Sequence, residues 1–324
     1  MLLLSLVFTM KTVNVQARVG NYQFDNVHEL EVDSSWETLT DIAKITVPRK
    51  LSFEGKNIIQ GESLFQKQDE VYIHAGFDGN LQEIFRGYVA DIHADVNLTF
   101  HCQDSMYVLK QNDITENFSN TTLPGLIASI TNLSFQAADV NLGTLRFTRR
   151  TPAQILDYLK RNYGIQSWVR EGVLYSGLAY WPGLANTQIP IFRFQHNIIS
   201  ESLRYQRGDD EKIKIVGISI YPDNSRKEVV AGDPQGETRT ILLYDVPEKD
   251  IKEMVEERAS QLKYEGYRGD FTTFGEPFVR HGDIISIQDP DFGDRNGEYL
   301  VKRVVHTLSF SNGLLQEIHL GSKV

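Results

Sequence analysis

The sequence predicts a mainly β protein carrying a small α+β insert. Three observations predict it. Short runs that alternate apolar and polar residues, separated by turn residues, fill both ends of the chain. A capped helix with an apolar stripe stands in the middle. Of the 324 residues, 41% are hydrophobic and 23% charged, the profile of a globular chain rather than a disordered one.

Residues 1–112 read as the first β domain. The opening run Met1-Leu2-Leu3-Leu4-Ser5-Leu6-Val7-Phe8 has no Lys or Arg before it and no small-residue cleavage site after it. It is too short to span a bilayer and continues into the alternating Thr12-Val13-Asn14-Val15, so it reads as a strand and no membrane-spanning segment is expected. Leu30-Glu31-Val32-Asp33, Ile45-Thr46-Val47 and Val71-Tyr72-Ile73-His74 follow, then the turn Asp78-Gly79-Asn80. Ile84-Phe85, Tyr88-Val89 with Ile92, and Leu98-Thr99-Phe100-His101-Cys102 complete the set. Short strands at this spacing predict a barrel or sandwich.

Residues 113–199 change character after the polar Gln111-Asn112-Asp113. Leu126, Ile127 and Ile130 sit at helical spacing. A second helix is announced by Thr151 as N-cap, Pro152 in the first position and Gln154 closing a capping box. Ile155, Leu156, Leu159 and Tyr163 form its apolar face, and Gly164 ends it. Ser167-Trp168-Val169 and Val173-Leu174-Tyr175 flank the turn Arg170-Glu171-Gly172, a hairpin pattern.

Residues 200–324 return to β, with one helix. Lys212–Val216 and Ile218-Ser219-Ile220 read as strand, and Asp223–Gly236 as a turn-rich stretch. The helix starts at Pro247, with Glu248 and Asp250 in its first turn, where the helix dipole favours acids. Ile251, Val255 and Leu262 mark its buried stripe. Strands Asp283–Ile287, Tyr299–Val305 and Leu314–Leu320 close the chain, with Asp289–Gly297 and Ser311-Asn312-Gly313 as turns. Asp69–Ile73 precedes Gly87, Val89 and Ile92, and Asp283–Ile287 precedes Gly297, Val301 and Val304: in both a short strand is followed by a glycine-rich turn and then a strand with apolar residues three apart. That step breaks strict alternation and predicts a bulge in each, the mark of a possible internal repeat.

Charge and motifs narrow the function. The chain has 33 basic and 43 acidic residues, a net charge of −10, which argues against a dedicated nucleic-acid binder. Cys102 is the single cysteine, so disulfide and Cys-based metal chemistry are not expected. The sequons at Asn97, Asn117, Asn120 and Asn132 read as chance occurrences in a chain without disulfides. Asp289, Asp291 and Asp294 suggest Ca²⁺, but the spacing is not that of a calcium loop, and Asp, Asn, Gly and Pro are what a long turn needs. His74, His93, His101, His306 and His319 lie in or beside strands without metal-ligand spacing, and His281 with His306 forms a site only if the fold joins them. Arg146, Arg149 and Arg150 read as a solvated surface, and Tyr180, Trp181, Phe192 and Phe194 as core or partner surface. No Gly-x-Ser-x-Gly elbow occurs. No catalytic, cofactor or metal residue is assigned, and an enzyme is not expected.

Four stretches together resemble the phage tail hub family, which includes late control protein D, baseplate hub proteins and the N-terminal hub region of type VI secretion spike proteins. They are Leu39–Pro48; Phe85–Ile92 with Phe100–Asp104 and Leu109; Thr151-Pro152 with Tyr163-Gly164-Ile165; and Gly282-Asp283-Ile284 through Gly297, Tyr299, Val301, Val304, His306 and Leu320-Gly321. The resemblance implies two tail-tube-like β-barrel domains, with the α/β module inserted between them. It implies a homotrimer whose barrels ring a channel, joining the tail tube to a spike or tip protein beside tape-measure and other baseplate proteins. DNA or an effector would pass through an acidic bore without specific binding. The location implied is the virion tail or a tail-like particle, assembled in the bacterial cytoplasm. Spike-fused members continue into a needle, whereas this sequence stops at Val324, so a separate spike is expected. Two rivals remain open: a tail-associated carbohydrate- or cell-wall-binding protein, and a cell-wall hydrolase.

Overall fold

The computed structural model describes residues 11–49, 51–53, 56–58, 64–177, 188–207, 212–221, 225–244, 246–262 and 265–324. Among the described residues the protein is mostly β with three α-helices, as the sequence predicts. Its chain divides into two compact units. The first is Met1–Val32, Ala43–Cys102 and His306–Leu315; the second is Asp33–Ile42, Gln103–Val305 and Gln316–Val324.

In the first unit, alternation sets the layers. Strand Val13–Val19 turns Ala17 and Val19 inward and Gln16 and Arg18 outward. It pairs antiparallel with Glu70–Phe77, from Val13 opposite Phe77 to Val19 opposite Val71. The sheet continues through Asn80–Ala94, Asn97–Gln103, Ile42–Pro48 and Glu29–Ser35. The turn read at Asp78-Gly79 is a tight hairpin with φ of 52° and 82°, a left-handed pair that glycine eases. The core gathers Val19, Ile45, Val71, Ile73, Leu98 and Phe100, all 0% exposed, with Phe65 edge-on to Phe100 at 4.8 Å. Val89 and Ile92 both pack on this core although three residues apart; the register shift in this strand's pairing with Glu70–Phe77 falls earlier, opposite Ile73 and His74.

The second unit holds three groups of elements, each with its own core. Strands Ile114–Thr122 and Asn141–Arg150 pair antiparallel. Helices α1 (Leu123–Ile130) and α2 (Pro152–Tyr163) accompany them, and a three-stranded sheet of Phe135–Ala137, Val173–Gly177 and Gln166–Arg170 completes this part. Helix α2 starts as read: Gln154 N–H donates to Thr151 Oγ1 at 3.2 Å, and Thr151 N–H donates back to Gln154 Oε1 at 3.1 Å. Gly164 ends it with φ 70°. Ile155, Leu156, Leu159 and Tyr163 are buried against Leu126, Ile127 and Ile130.

A second set of strands, Ile198–Glu201, Asp270–Phe274, Gly313–Lys323, Gly297–Ser309, Ile284–Gln288 and Ile191–Arg193, pairs in that order. Phe192, Phe271, Ile285, Tyr299, Val301 and Val304 fill its core. Val301 and Val304 repeat the three-residue step.

The third part departs from the reading. The stretch taken as turn-rich contains strand Arg226–Gly232, an exposed edge strand whose Arg226-Lys227-Glu228 start hides its pairing with Ile213–Ile220. Strand Glu237–Tyr244 lies parallel on the other side of Ile213–Ile220. Helix α3 (Glu248–Leu262) belongs to this small sheet: Ile251 and Val255 lie where a Cβ on Gly217 would stand, at 2.8 and 2.5 Å. The side chain of Leu262, assigned to the same stripe, lies outside the described residues.

Closure was expected of both β regions. Among the described residues neither region closes: the pairing in the first unit ends at Tyr22–Phe24, and that in the second unit ends at Ile198–Glu201. Each of these end strands has a neighbour on one side only.

Candidate functional site

The acidic loop is held as a turn. Asp289 Oδ1 accepts the amides of Asp291 and Phe292 at 3.0 and 3.1 Å, and the Asp289 amide donates to Asn296 Oδ1 at 2.7 Å. Asp289 Oδ2 accepts the Tyr267 hydroxyl at 2.6 Å, and Asp291 accepts Gln195 Nε2 at 3.2 Å. Burial pushes the Asp289 pKa up, but the Tyr267 hydroxyl and the two amides outweigh it and hold it below its usual value. Among the described residues no group of three His, Cys, Asp or Glu side chains is placed to hold a metal ion.

The other sequence candidates disperse, with one exception. His93 and His101, on neighbouring strands, have ring centroids 4.7 Å apart, which the linear spacing did not reveal. Burial, then His93 and Lys44, lower the His101 pKa. His74 lies 3.9 Å from Glu83, and His319 Nε2 is 2.7 Å from Glu317. His281 falls in the second unit and His306 in the first. Arg146, Arg149 and Arg150 are exposed on their strand. Phe192 is fully buried beside Phe271 at 5.1 Å, and Phe194 packs on Tyr267 at 5.4 Å, so both serve the core. Tyr180 and Trp181 lie outside the described residues.

The strongest concentration of chemistry is a buried junction in the second unit that the sequence did not announce. Asp41, Asp104, His281 and Asp283 are 8, 4, 4 and 7% exposed. Asp41 precedes strand Ile42–Pro48; its Oδ2 accepts Ser34 Oγ at 2.5 Å and its Oδ1 accepts the Ser35 amide at 2.9 Å. Asp104 caps the 3-10 turn Ser105–Lys110 by accepting the Met106 amide at 2.9 Å. The two acids are joined by reciprocal bonds: Asp41 N–H donates to Asp104 Oδ2 at 3.1 Å, and Asp104 N–H donates to the Asp41 carbonyl at 3.1 Å. His281 Nε2 stands 3.8 Å from Asp41 Oδ2. Arg170 donates to the His281 carbonyl at 3.1 Å and to Asp283 at 3.3 Å.

Burial is the largest influence on the titrating groups of this junction. It pushes Asp41 up to about 7, against the lowering bonds from Ser34 and Ser35. It raises Asp104 well above the carboxylate range, with the neighbouring Asp41 charge adding to the rise. It pushes His281 down to about 3, helped by Arg170 and Arg280. Asp283 is raised by burial and partly restored by Arg170. These carboxyls face amides and hydroxyls inside the protein, an arrangement that fastens three chain segments together. The only signal in the sequence was three short polar stretches, Ser34-Ser35, Gln103-Asp104 and His281-Gly282-Asp283, which look like ordinary turns.

No family model matches the sequence, and no curated protein matches it. Solved structures do. The tail protein of Neisseria meningitidis MC58 aligns with a TM-score of 0.68 at 14% identity, over 96% of this chain and 96% of that chain. The 43 kDa tail protein of prophage MuSo2 from Shewanella oneidensis gives 0.65 at 14% identity, over 96% and 97%. The chain has the fold of phage tail proteins. A type VI secretion component of E. coli, described as similar in structure to the T4 tail proteins gp27 and gp5, shares the tail-protein fold. It gives a TM-score of 0.57 at 8% identity, over 96% of this chain and 76% of that one.

Proposed function

We propose that this chain is the structural hub of a phage tail or phage-tail-like injection apparatus. The supporting observation is that the tail-protein fold extends over 96% of this chain and of its Neisseria counterpart. In this reading the strands of residues 1–112 and of 200–324 are two tube-like β modules, with residues 113–199 inserted between them. The edges left open within one chain are closed by neighbouring chains. A homotrimer, as in late control protein D, supplies six such modules around a channel. The ring joins the tail tube to a spike or tip protein, meets tape-measure and other baseplate proteins, and lets DNA or an effector pass. It assembles in the bacterial cytoplasm and acts in the tail particle, mechanically rather than as an enzyme.

Light scattering on a sizing column, over a concentration series and with the tube protein added, tests this. A trimeric mass, and a ring with an axial hole in negatively stained particles, are expected. A monomer at every concentration that binds glycans overturns the reading. So does peptidoglycan turnover that is abolished by a single carboxylate substitution.

A further inference from the structure

We propose that His93 and His101 form a surface site for a divalent transition-metal ion, Cu²⁺ above the others, with two imidazoles as its protein ligands and water in the remaining positions. The rings come from neighbouring strands of the first unit, Asn80–Ala94 and Asn97–Gln103. On the second of these, Leu98, Phe100 and Cys102 turn into the core, so the alternate residue His101 faces outward. The His93 side chain is 58% exposed, which gives an ion and its waters a way in.

The separation of the rings is that of a pair sharing one ion. An imidazole nitrogen binds such a metal at about 2.0–2.1 Å, which puts the ring centroid about 3.2 Å from the ion. Two rings at a right angle around the ion then have centroids about 4.5 Å apart, and two at the tetrahedral angle about 5.2 Å. The centroids of His93 and His101 are 4.7 Å apart, with the ring planes tilted by 58°. That value lies near the right-angled end, the geometry of Cu²⁺, which also heads the affinity order for nitrogen sites.

The groups around the pair fit this role. His93 Nε2 lies 3.1 Å from Asp91 Oδ2. A carboxylate only accepts, so Nε2 carries the proton and the Nδ1 lone pair is left for a metal, the arrangement in which an outer carboxylate orients a histidine ligand. Asp91 is itself held by Lys67 at 2.9 Å, so it serves as that outer carboxylate and not as a third ligand. Two charges act on His101 in opposite senses: Lys44 repels a cation there and Asp91 attracts it.

Calorimetric titration of the full chain with Cu²⁺, in a buffer that does not bind metal, tests the site together with electron paramagnetic resonance spectra of the first equivalent bound. Loss of an outer-shell partner already costs metal sites about 10–100-fold, so His93→Ala and His101→Ala are each expected to weaken the tightest site by at least that lower figure. His74→Ala, on the adjoining strand Glu70–Phe77, is expected to leave it unchanged. Zn²⁺ is expected to compete for the same residues with lower affinity. A tightest site that neither His93→Ala nor His101→Ala weakens overturns the proposal, as does an equal loss in His74→Ala. Should the variants fail to fold, the spectrum of the wild-type protein decides: splitting from two imidazole nitrogens supports the site, and splitting from one or none overturns it.

Discussion

Tyr299→Phe removes one oxygen from the core of the second unit and tests how a strand is fixed there. Tyr299 is fully buried, and its hydroxyl accepts the Tyr267 amide at 2.8 Å. Strand Gly266–Arg268 passes so close that a Cβ on Gly266 would lie 2.6 Å from that hydroxyl. Phenylalanine keeps the ring but withdraws the acceptor, and a buried donor deprived of its partner costs about 1–3 kcal/mol. Gly266→Ala in the wild-type background forces overpacking of similar size, about 1–3 kcal/mol. With the oxygen gone, the nearest ring atoms lie at 3.1 and 3.2 Å, so most of the clash disappears. The double variant should therefore cost less than the sum of the singles by about 1 kcal/mol or more. Urea unfolding of the three variants measures this, provided the slope with denaturant is unchanged. Additivity within about 0.5 kcal/mol would refute the claim that the hydroxyl and the bare backbone were fitted to each other.

Gly217→Ala drives a methyl to 2.5 Å from Val255 Cγ2, so a loss of about 1–3 kcal/mol is expected, recovered in part by Val255→Ala when both are measured by urea unfolding. Cys102 is 2% exposed and burial pushes its thiol up to about 12, so a thiol reagent at about pH 8 should leave it unmodified until denaturant is added; labelling of the native chain within minutes contradicts this. Calcium should not move the thermal midpoint, because Asp289 is committed to two amides and to Tyr267; a rise that grows with calcium concentration restores the metal reading. Asp289→Ala should cost about 1 kcal/mol through the turn it fastens, seen as a lower unfolding midpoint.

What the sequence revealed was local chemistry. Helix α2 could be read because Thr151, Pro152, Gln154 and Gly164 specify its ends within fourteen residues of one another, and the bonds found are those such residues make. The sheet carrying α3 was misread because its pairings are remote or disguised. Glu237–Tyr244 lies parallel to a strand more than twenty residues upstream, and Arg226–Gly232 is polar because it is an edge. The buried junction was invisible for a related reason. Asp41, Asp104 and His281 come from three distant segments, and each alone resembles a surface turn. His93 and His101 likewise meet only once their strands are side by side.

The likeness between the strands that follow Asp69–Ile73 and Asp283–Ile287 is narrower than the sequence suggests. The glycines do not correspond. Gly87 lies inside its strand opposite Val71, whereas Gly297 opens its strand opposite Ile287. The step does correspond. Val89 and Ile92 face one core, and Val301 and Val304 face the other, although strict alternation would send the second of each pair to the opposite side. Both strands are long, fifteen and thirteen residues, and an extra residue lets a long strand bend while keeping its apolar side inward. A chance likeness between hairpins would preserve turn residues, which are set locally, and would have no reason to preserve a change of phase. Here the phase change is kept and the glycines are not, so the likeness of the two strands rests on the step of their apolar residues alone.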